Sequence, residues 1–232
     1  MSVLVAAEAR ATRPGTIPST IGGVEIRLVD LASDDHAVAR AESSLTPAEV
    51  ARARRGAPAV HRRRVLLRAA LRSALGAELG MDPAAVPLGT SPVGRPFVPA
   101  AVTGPAVDVS CSASGALGVV AVGRACRIGV DVETVAPWSA EVLEEPWLSD
   151  GERLALTRLP AAHRAVAATR SWTQKEAVLK AAGTGLRGDP AAVITPIGQA
   201  DGVVAGWEIH ALPVPDGWVA SLAVRPDKER SS

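Results

Sequence analysis

The sequence predicts an α+β protein made of two similar α+β halves packed side by side. Element order and hydrophobic periodicity both support this fold class. The chain begins with a strand, helices and several strands, and after a proline-containing segment at residues 135–146 it returns to helices and then strands. Its 232 residues are enough for one large domain or two smaller ones with a buried core.

The individual elements follow from the spacing of apolar residues. Alternating or β-branched residues predict strands at 24–30, 107–111, 117–122, 127–133, 206–212 and 218–224. Helical spacing predicts helices at 47–80, with a break near 56–58, and then at about 149–158 and 163–182. Thr46, Pro47 and Glu49 have the residue types of a capping box, so a helix is expected to begin at Pro47.

These elements predict how the chain is divided into segments. We expect a variable N-terminal segment at 1–20, an N-terminal α+β half at 21–134, a linker at 135–146 and a C-terminal α+β half at 147–226. No short sequence repeat is visible, so the similarity of the halves rests on element order alone.

The composition excludes several classes of protein. A hydrophobic content of 47% and only two cysteines argue against disorder and against a disulfide scaffold. The longest apolar stretch, residues 116–123, is far shorter than the roughly 20 residues that span a bilayer. The N-terminus lacks the basic and apolar regions of a secretory signal. We therefore expect a cytoplasmic protein that does not bind membranes.

The net charge of +1 conceals two regions of opposite charge. Residues 47–72 contain eight arginines and one acid, whereas residues 128–152 contain seven acids and no lysine or arginine. The arginines are typical either of a solvated helix face or of an anion site for phosphate groups. Nucleic-acid binding is less favoured, because the chain has one phenylalanine, no tyrosine and no aromatic residues among these arginines.

Acidic residues share one face of the predicted strand at 127–133. Strand alternation places Gly129, Asp131 and Glu133 together, and carboxylates two residues apart can converge on one hard cation. Gly129 is interpreted as leaving space for the phosphates of a ligand. The alternative is a half-exposed strand whose polar residues face water.

Lysine is rare in this chain, since 22 of its 25 basic residues are arginine. Two of the three lysines, Lys175 and Lys180, lie in one predicted helix, where Glu176 and Lys180 form an i,i+4 pair. One interpretation is an exposed ion pair beside the apolar Trp172 and Leu179. The other makes Glu176 a third oxygen ligand, with both lysines directed at the same anion.

The two motifs together resemble a known family. Gly-Val-Asp-Val-Glu at 129–133 and Trp-Thr-Gln-Lys-Glu-Ala-Val-Leu-Lys at 172–180, followed by Gly-Thr-Gly-Leu at 183–186, are similar to the paired signatures of surfactin-synthetase-type 4'-phosphopantetheinyl transferases. The 43 positions that separate Glu133 from Glu176 also fit. Similarity extends over most of the chain, except for about the first 20 residues and the tail after 226.

This resemblance implies a 4'-phosphopantetheinyl transferase-like fold, in which two similar α/β halves form a pseudo-two-fold pair, and a Mg²⁺-dependent reaction. The phosphopantetheine arm of coenzyme A would pass to a serine of an acyl or peptidyl carrier protein, releasing 3',5'-ADP. Asp131, Glu133 and Glu176 would bind Mg²⁺, with Mn²⁺ as the alternative. Glu176 would also serve as the base, Lys180 would stabilise the departing phosphate, and Lys175 would assist on the pyrophosphate.

The resemblance also suggests how coenzyme A is bound. Arg63 and Arg95 are expected to contact its 3'-phosphate, because a guanidinium fork suits phosphate oxygens. Lys175 and Lys180 would contact the pyrophosphate of the same molecule. The family commonly has Ser-His-Ser before the acidic strand, but this chain has Ser-Ala-Ser at 112–114. Ala113 therefore stands where the nucleotide-contacting histidine would be.

The expected partners are coenzyme A and a carrier protein, with no nucleic acid and no membrane, and the expected state is a monomer. Two other functions stay open at this point. One is a carrier-protein-binding relative without catalysis, although the three carboxylates and both lysines argue against it. The other is an arginine-rich nucleic-acid-binding module.

Overall fold

A computed structural model describes residues 19–92, 94–103, 107–139 and 143–226. Within these residues two four-stranded antiparallel sheets pack face to face, and a long helix covers the outer side of each. The predicted α+β fold class is confirmed. The expected variable segment at 1–20 lies almost entirely outside the described residues.

The first sheet and its helices come from the N-terminal part of the chain. In chain order the elements are β1 (Ser19–Ile21), β2 (Val24–Asp30), α1 (Asp35–Glu42), α2 (Pro47–Ala53), α3 (Pro58–Leu79), β3 (Gly89–Thr90), β4 (Pro96–Phe97), α4 (Ala100–Thr103), β5 (Val107–Ser114) and β6 (Leu117–Arg124). The sheet order is β1-β2-β6-β5, while β3 and β4 form a separate small hairpin. Strand β5 therefore lies at an edge of the first sheet.

The second sheet follows the same general plan. Its elements are β7 (Cys126–Thr134), α5 (Asp150–Arg158), α6 (Ala161–Ala182), β8 (Gly202–Val204), β9 (Trp207–Ala211) and β10 (Trp218–Pro226), and the sheet order is β7-β10-β9-β8. Strand β7 pairs along its whole length with β10. The change of sheet therefore falls between β6 and β7, although the sequence grouped residues 127–133 with the preceding strands. Alternation identifies a strand but not its hydrogen-bonding partner.

Side-chain alternation along β6 explains how the layers pack. Val120 and Val122 belong to the core beneath α3, whereas Val119 and Ala121 face the second sheet. The outer face of the second sheet packs against α6 through small residues, including Ala177 and Ala181. The molecule is thus layered as helix, sheet, sheet and helix, and burial of apolar surface between these layers supplies the main stabilising force.

The helix boundaries agree with the capping signals in the sequence. The capping box of Thr46 and Glu49 starts α2, and the predicted interruption separates α2 from α3. Gly183 ends α6 in the left-handed conformation with φ of 82°. Although α3 and α6 each have 22 residues, neither they nor any other helix in the described ranges is long and apolar enough to cross a membrane.

Candidate active site

Strand β7 and helix α6 approach closely because residue 129 is a glycine. A Cβ atom there would overlap the carbonyl oxygen of Ala177 and the backbone nitrogen of Ala181. Gly129 therefore makes room for the helix backbone, which corrects its interpretation as space for a ligand's phosphates. The close packing brings the following residues of the same strand face, Asp131 and Glu133, beside α6.

The structure brings Asp131, Glu133, Glu176 and Lys180 together. Asp131 and Glu176 are only 3% and 5% exposed, and Glu133 is half-buried. The ammonium of Lys180 donates to Asp131 Oδ1 at 2.6 Å and to the carbonyl oxygen of Val130 at 3.3 Å. Lys180 thus pairs with Asp131 across the strand–helix boundary, and four of the predicted site residues form one charged cluster.

Burial and repulsion between carboxylates raise the pKa of two members of this cluster, Glu176 and Glu133. Burial raises the pKa of Glu176, and the charges of Asp131 and Glu133 add to that rise while Lys180 opposes it. Burial also raises the pKa of Glu133, with a hydrogen bond from Ser114 opposing the rise and Asp131 adding to it. Crowded, buried carboxylates of this kind are stabilised by a nearby cation and are typical of functional sites.

The cluster fits a magnesium ion by the chemistry of its donors. Asp131 Oδ2 and Glu176 Oε1 are buried and have no hydrogen-bond partner among the described residues. Unpaired carboxylate oxygens are hard ligands of the type that Mg²⁺ prefers. The described residues nevertheless contain no group of three His, Cys, Asp or Glu side chains that could hold a metal ion in their present positions. The ligand set Asp131, Glu133 and Glu176 therefore stays a prediction.

Two serines of β5 complete the cluster, and the sequence interpretation did not assign them a role. Ser112 donates to Asp131 Oδ1 at 2.7 Å and accepts from Lys180 Nζ at 3.1 Å, while Ser114 donates to Glu133 Oε2 at 2.7 Å. Their signal in the sequence was the alternation of small polar residues along residues 108–114.

A cavity of about 990 Å³ lies between α3 and the end of β5. Its lining includes Arg52, Arg63, Arg64, Arg68, Ser112 and Ala113. The cavity reaches the charged cluster through Ser112, which contacts Asp131 and Lys180. Its volume is within the range of sites for drug-sized ligands and cofactors. Arg63 is exposed and lines this cavity. Its contact with an anionic group stays a prediction. Arg64, which the sequence offered with Arg62 as an alternative to Arg63, also lines the cavity, as does Arg52.

Arg95 does not have the position expected of a phosphate ligand. One terminal nitrogen donates to the backbone carbonyl of Lys180, and the other donates to both carboxylate oxygens of Asp108 at 2.8 and 2.7 Å and to Ile128 O at 2.8 Å. Arg95 therefore joins β5, β7 and the end of α6. Its terminal nitrogens are engaged inside the protein, so this arrangement does not support the expected contact with the 3'-phosphate, which stays a prediction.

Lys175 is also placed away from the cluster. Its side chain is 0% exposed, and its ammonium donates to Glu152 Oε2 at 3.0 Å and to the carbonyl oxygens of Pro190 and Val193 at 3.0 and 2.5 Å. All three ammonium donors are thereby used. The assignments of Lys175 to catalysis and to coenzyme A binding are wrong. Five residues of helix correspond to about 500°, so Lys175 and Lys180 point in directions about 140° apart.

A second cavity, of about 530 Å³, opens beside Glu133. Three tryptophans contribute to its lining, Trp138, Trp147 and Trp172. Their rings pack against one another, with centroids 4.9 Å apart for Trp138 and Trp147 and 5.4 Å apart for Trp147 and Trp172. The carboxylate cluster therefore has an aromatic surface next to it in addition to the arginine-lined cavity.

Comparisons with known proteins identify the family of this chain. The model of the 4'-phosphopantetheinyl transferase superfamily matches residues 127–205, a range that contains α6 and all of β7 except its first residue. Asp131, Glu133, Glu176 and Lys180 therefore lie within it. The chain is also similar to 4'-phosphopantetheinyl transferase HetI of Nostoc sp. (strain PCC 7120 / SAG 25.82 / UTEX 2576). The two are 33% identical over 187 residues, which cover 78% of this chain and 79% of the relative. The chain belongs to the 4'-phosphopantetheinyl transferase superfamily.

Proposed function

We propose that this chain transfers the 4'-phosphopantetheine arm of coenzyme A to a serine of an acyl or peptidyl carrier protein and releases 3',5'-ADP in a Mg²⁺-dependent reaction. We assign it to the surfactin-synthetase type within the superfamily. The motifs at 129–133 and 172–180 support this assignment, as does the presence of two sheet-and-helix units in one chain.

The observation that carries the proposal is that the large cavity reaches a serine that is hydrogen-bonded to the charged cluster. Ser112 lines the cavity and also contacts Asp131 and Lys180. A bound molecule with its anionic nucleotide end near Arg63 could therefore extend toward the carboxylates. The distribution of charge suits coenzyme A, whose 3'-phosphate and pyrophosphate are separate anionic groups.

The reaction requires a proton acceptor and stabilisation of a departing phosphate. The serine oxygen of the carrier forms a bond to the phosphorus that bears pantetheine, and the bond from that phosphorus to the bridging oxygen breaks. Glu176 takes the hydroxyl proton, directly or through water. Its raised pKa makes it a stronger base than an exposed carboxylate. The bridging oxygen leaves with 3',5'-ADP, and the positive charge of Lys180 stabilises it.

Asp131, Glu133 and Glu176 would hold the metal ion. Bound Mg²⁺, or Mn²⁺ in its place, would neutralise pyrophosphate charge and stabilise the charge that develops during transfer. In the apo arrangement Lys180 supplies positive charge to Asp131 at 2.6 Å. The side chain of Lys180 is 25% exposed, which leaves it room to turn toward a phosphate while staying beside the cluster.

The wider organisation is part of the proposal. We propose a monomer that acts in the cytoplasm, with N- and C-terminal α+β halves at 21–134 and 147–226 joined by the segment 135–146. Strand β7, at the end of the first of these ranges, pairs with β10 of the second. The aromatic cavity beside Glu133 supports the approach of the pantetheine arm or the carrier, because both must reach the carboxylates. Carrier binding without catalysis would not require the cluster of buried carboxylates and Lys180.

Nucleic-acid binding has less support now that the arginine partners are known. Arg62 pairs with Asp35, and Arg68 and Arg72 both pair with Glu49. Much of the basic charge between residues 47 and 72 is therefore engaged within the protein. The arginines that remain along the cavity are better placed to bind a small anionic ligand than a long polyanion.

The direct test is transfer to a purified apo carrier protein. The full chain is incubated with the carrier, coenzyme A and Mg²⁺, and mass spectrometry measures addition of one phosphopantetheine group. We expect modification with wild-type protein and its loss with Glu176→Gln, which keeps the side-chain shape but removes the base. Failure of wild type on both acyl and peptidyl carriers, despite measured coenzyme A binding, would contradict the proposed reaction.

A further inference from the structure

Side chains, instead of backbone pairing, connect the facing edges of the two sheets. Strands β5 and β7 belong to different sheets. Backbone N–H groups of β7 donate to side chains of β5: Ile128 to Asp108 Oδ2 at 2.9 Å, Val130 to Ser110 Oγ at 3.0 Å and Thr134 to Ser114 Oγ at 3.1 Å. Each pair is 20 positions apart, so alternate β5 residues form a regular ladder along β7.

Where the ladder reaches the charged cluster, the serines of β5 also donate hydrogen bonds to carboxylates. Ser112 donates to the carboxylate of Asp131 at 2.7 Å and accepts from Lys180 at 3.1 Å. Ser114 donates to the carboxylate of Glu133 at 2.7 Å while it accepts the N–H of Thr134. Since a hydroxyl has only one hydrogen, accepting the backbone N–H leaves that hydrogen available for Glu133.

We infer that Ser112 and Ser114 are positioning residues that orient the carboxylates of Asp131 and Glu133 for a divalent cation. This inference rests on the proposed function. A serine is short, and both serines lie on a strand fixed within the first sheet, so each hydroxyl has a defined place. Partners of this kind, which bind metal ligands and not the metal, fix ligand orientation and strengthen metal binding.

The hydrogen bond from Ser114 restricts the orientation of the Glu133 carboxylate. Glu133 has three rotatable side-chain bonds, and hydrogen bonding of one carboxylate oxygen limits the directions in which the other can point. A ligand held in one orientation loses less conformational freedom when it binds a cation. Loss of the Ser114 hydroxyl should therefore weaken cation binding even though Glu133 keeps its charge.

Ser110 provides a matched control because it has the same side chain on the same face of β5. It is 3% exposed, and its oxygen accepts the N–H of Val130. Ser110→Ala removes a link between the sheets without removing a hydrogen bond to a carboxylate. A general effect of weakening the ladder should thus appear with Ser110→Ala, whereas an effect on the metal ligands should appear with Ser114→Ala.

The experiment compares Mg²⁺ binding and Mg²⁺-dependent transfer in the full chain. Calorimetry in the presence of coenzyme A gives the dissociation constant of Mg²⁺, and the carrier assay gives its half-saturating concentration. Ser114→Ala is expected to raise both values by about 10- to 100-fold, the usual effect of removing a hydrogen bond to a metal ligand. Ser114→Thr keeps the hydroxyl and should recover much of this loss. Ser110→Ala should lower the melting temperature but leave both Mg²⁺ values close to wild type.

Ser112→Ala is the second test variant. It removes the hydrogen bond to Asp131, so it should also raise the dissociation constant and the half-saturating concentration of Mg²⁺. Wild-type Mg²⁺ affinity in Ser112→Ala and Ser114→Ala would overturn the inference, as would an equal loss of affinity in Ser110→Ala. Wild-type protein that binds Mg²⁺ but transfers nothing would instead count against the proposed reaction. The calorimetric comparison would still test the positioning role in that case.

Discussion

Lys175 and Lys180 lie in the same helix and the same motif, yet their environments differ completely. Lys175 is enclosed between α6, the start of α5 and the segment near residues 190–193, with its ammonium bound to Glu152 and two backbone carbonyls. Lys180 lies beside β7 and keeps part of its side chain exposed. One lysine therefore holds elements together, while the other contributes charge to the site.

The comparison shows how one short motif can encode both stability and chemistry. Glu152 caps α5, accepts two hydrogen bonds from Thr195 and pairs with Lys175 at 2.9 Å. This network fixes α6 from the side away from β7. The stability of the fold around α6, which carries Glu176 and Lys180, thus depends on a buried ion pair that need not touch a substrate.

The largest effect is expected from breaking that buried pair. Lys175→Met should lower the free energy of unfolding by about 3–5 kcal/mol, because it leaves Glu152 with an uncompensated buried charge. Urea unfolding measures the change. Transfer per folded molecule at low temperature should stay close to wild type. A stable variant that has lost transfer would contradict the structural role assigned to Lys175 and return it to the site.

A corresponding contrast exists in α3. Arg72 is almost fully buried and donates to Glu49 at 2.8 Å as well as to backbone carbonyls of the segment near residues 83–86. Arg63, on the same helix, is exposed along the large cavity. Each long helix thus contains one buried basic side chain that stabilises the fold, Arg72 in α3 and Lys175 in α6. Each also contains a more accessible basic side chain that is available to an anionic ligand, Arg63 in α3 and Lys180 in α6.

The next largest effect on the free energy of unfolding is expected at Glu49, which accepts hydrogen bonds from both Arg68 and Arg72. Burial opposes its ionisation, but hydrogen bonds from Arg72, the Thr46 backbone and Arg68 outweigh burial and lower its pKa from 4.5 to about 2. At pH values above the unfolded-state pKa of about 4.5, ionised Glu49 therefore contributes on the order of 3 kcal/mol to the free energy of unfolding. This contribution is lost as the pH falls from about 4.5 toward 2. Glu49→Gln should remove most of that contribution at pH 7.

Chemical unfolding at several pH values tests this assignment. Wild type should lose stability between about pH 4.5 and 2, and Glu49→Gln should show a smaller dependence over the same interval. An unchanged acid dependence in the variant would mean that other carboxylates control acid unfolding. The comparison therefore measures how strongly the internal arginines of α3 stabilise the fold.

Much of the fold could be predicted because its elements have regular apolar patterns. Strand β2 matches the expected residues 24–30, and the break between α2 and α3 is marked by Gly56 and Pro58. The short strands β1 and β8 and the polar helix α1 were missed, since they have too few apolar positions to define a period. The pairing of β7 with β10 depends on contacts far apart in sequence.

The site shows the same division between local pattern and distant contact. Asp131, Glu133, Glu176 and Lys180 could be predicted to converge because their motifs resemble those of a family. Lys175 could not be assigned correctly, because almost the whole circumference of α6 is buried and its partner Glu152 is 23 positions away. A periodic pattern shows which face of a helix is apolar, but it does not show which basic side chain forms a buried ion pair with a distant acidic residue.

A substitution at Lys180 is the next test of the different roles assigned to Lys175 and Lys180. Lys180→Arg keeps the charge, but the planar guanidinium is larger and should misplace the contact to a phosphate. A displacement of about 1 Å can lower turnover by roughly 100-fold. The free energy of unfolding should change by less than about 0.5 kcal/mol. Turnover and urea unfolding measured on the same preparation distinguish this result from that of Lys175→Met. Wild-type turnover would remove Lys180 from the catalytic assignment.

The smallest expected effect tests the exposed cation of α3. Arg63→Ala should weaken coenzyme A binding by a few-fold to about tenfold, because exposed charge pairs contribute little more than about 1 kcal/mol. The control is Arg55→Ala, which removes an exposed arginine from the same basic region but not from the lining of the cavity. This control should leave the dissociation constant nearly unchanged.

A comparison of coenzyme A with 3'-dephospho-coenzyme A identifies the group that Arg63 contacts. If Arg63 binds the 3'-phosphate, removing either partner eliminates the same interaction, so Arg63→Ala should weaken binding of coenzyme A but barely change binding of the dephosphorylated form. Equal losses for both ligands would place Arg63 near another phosphate or make its effect a general one of charge. Calorimetry at fixed ionic strength is the appropriate measurement, because added salt weakens exposed charge interactions and would obscure a difference of this size.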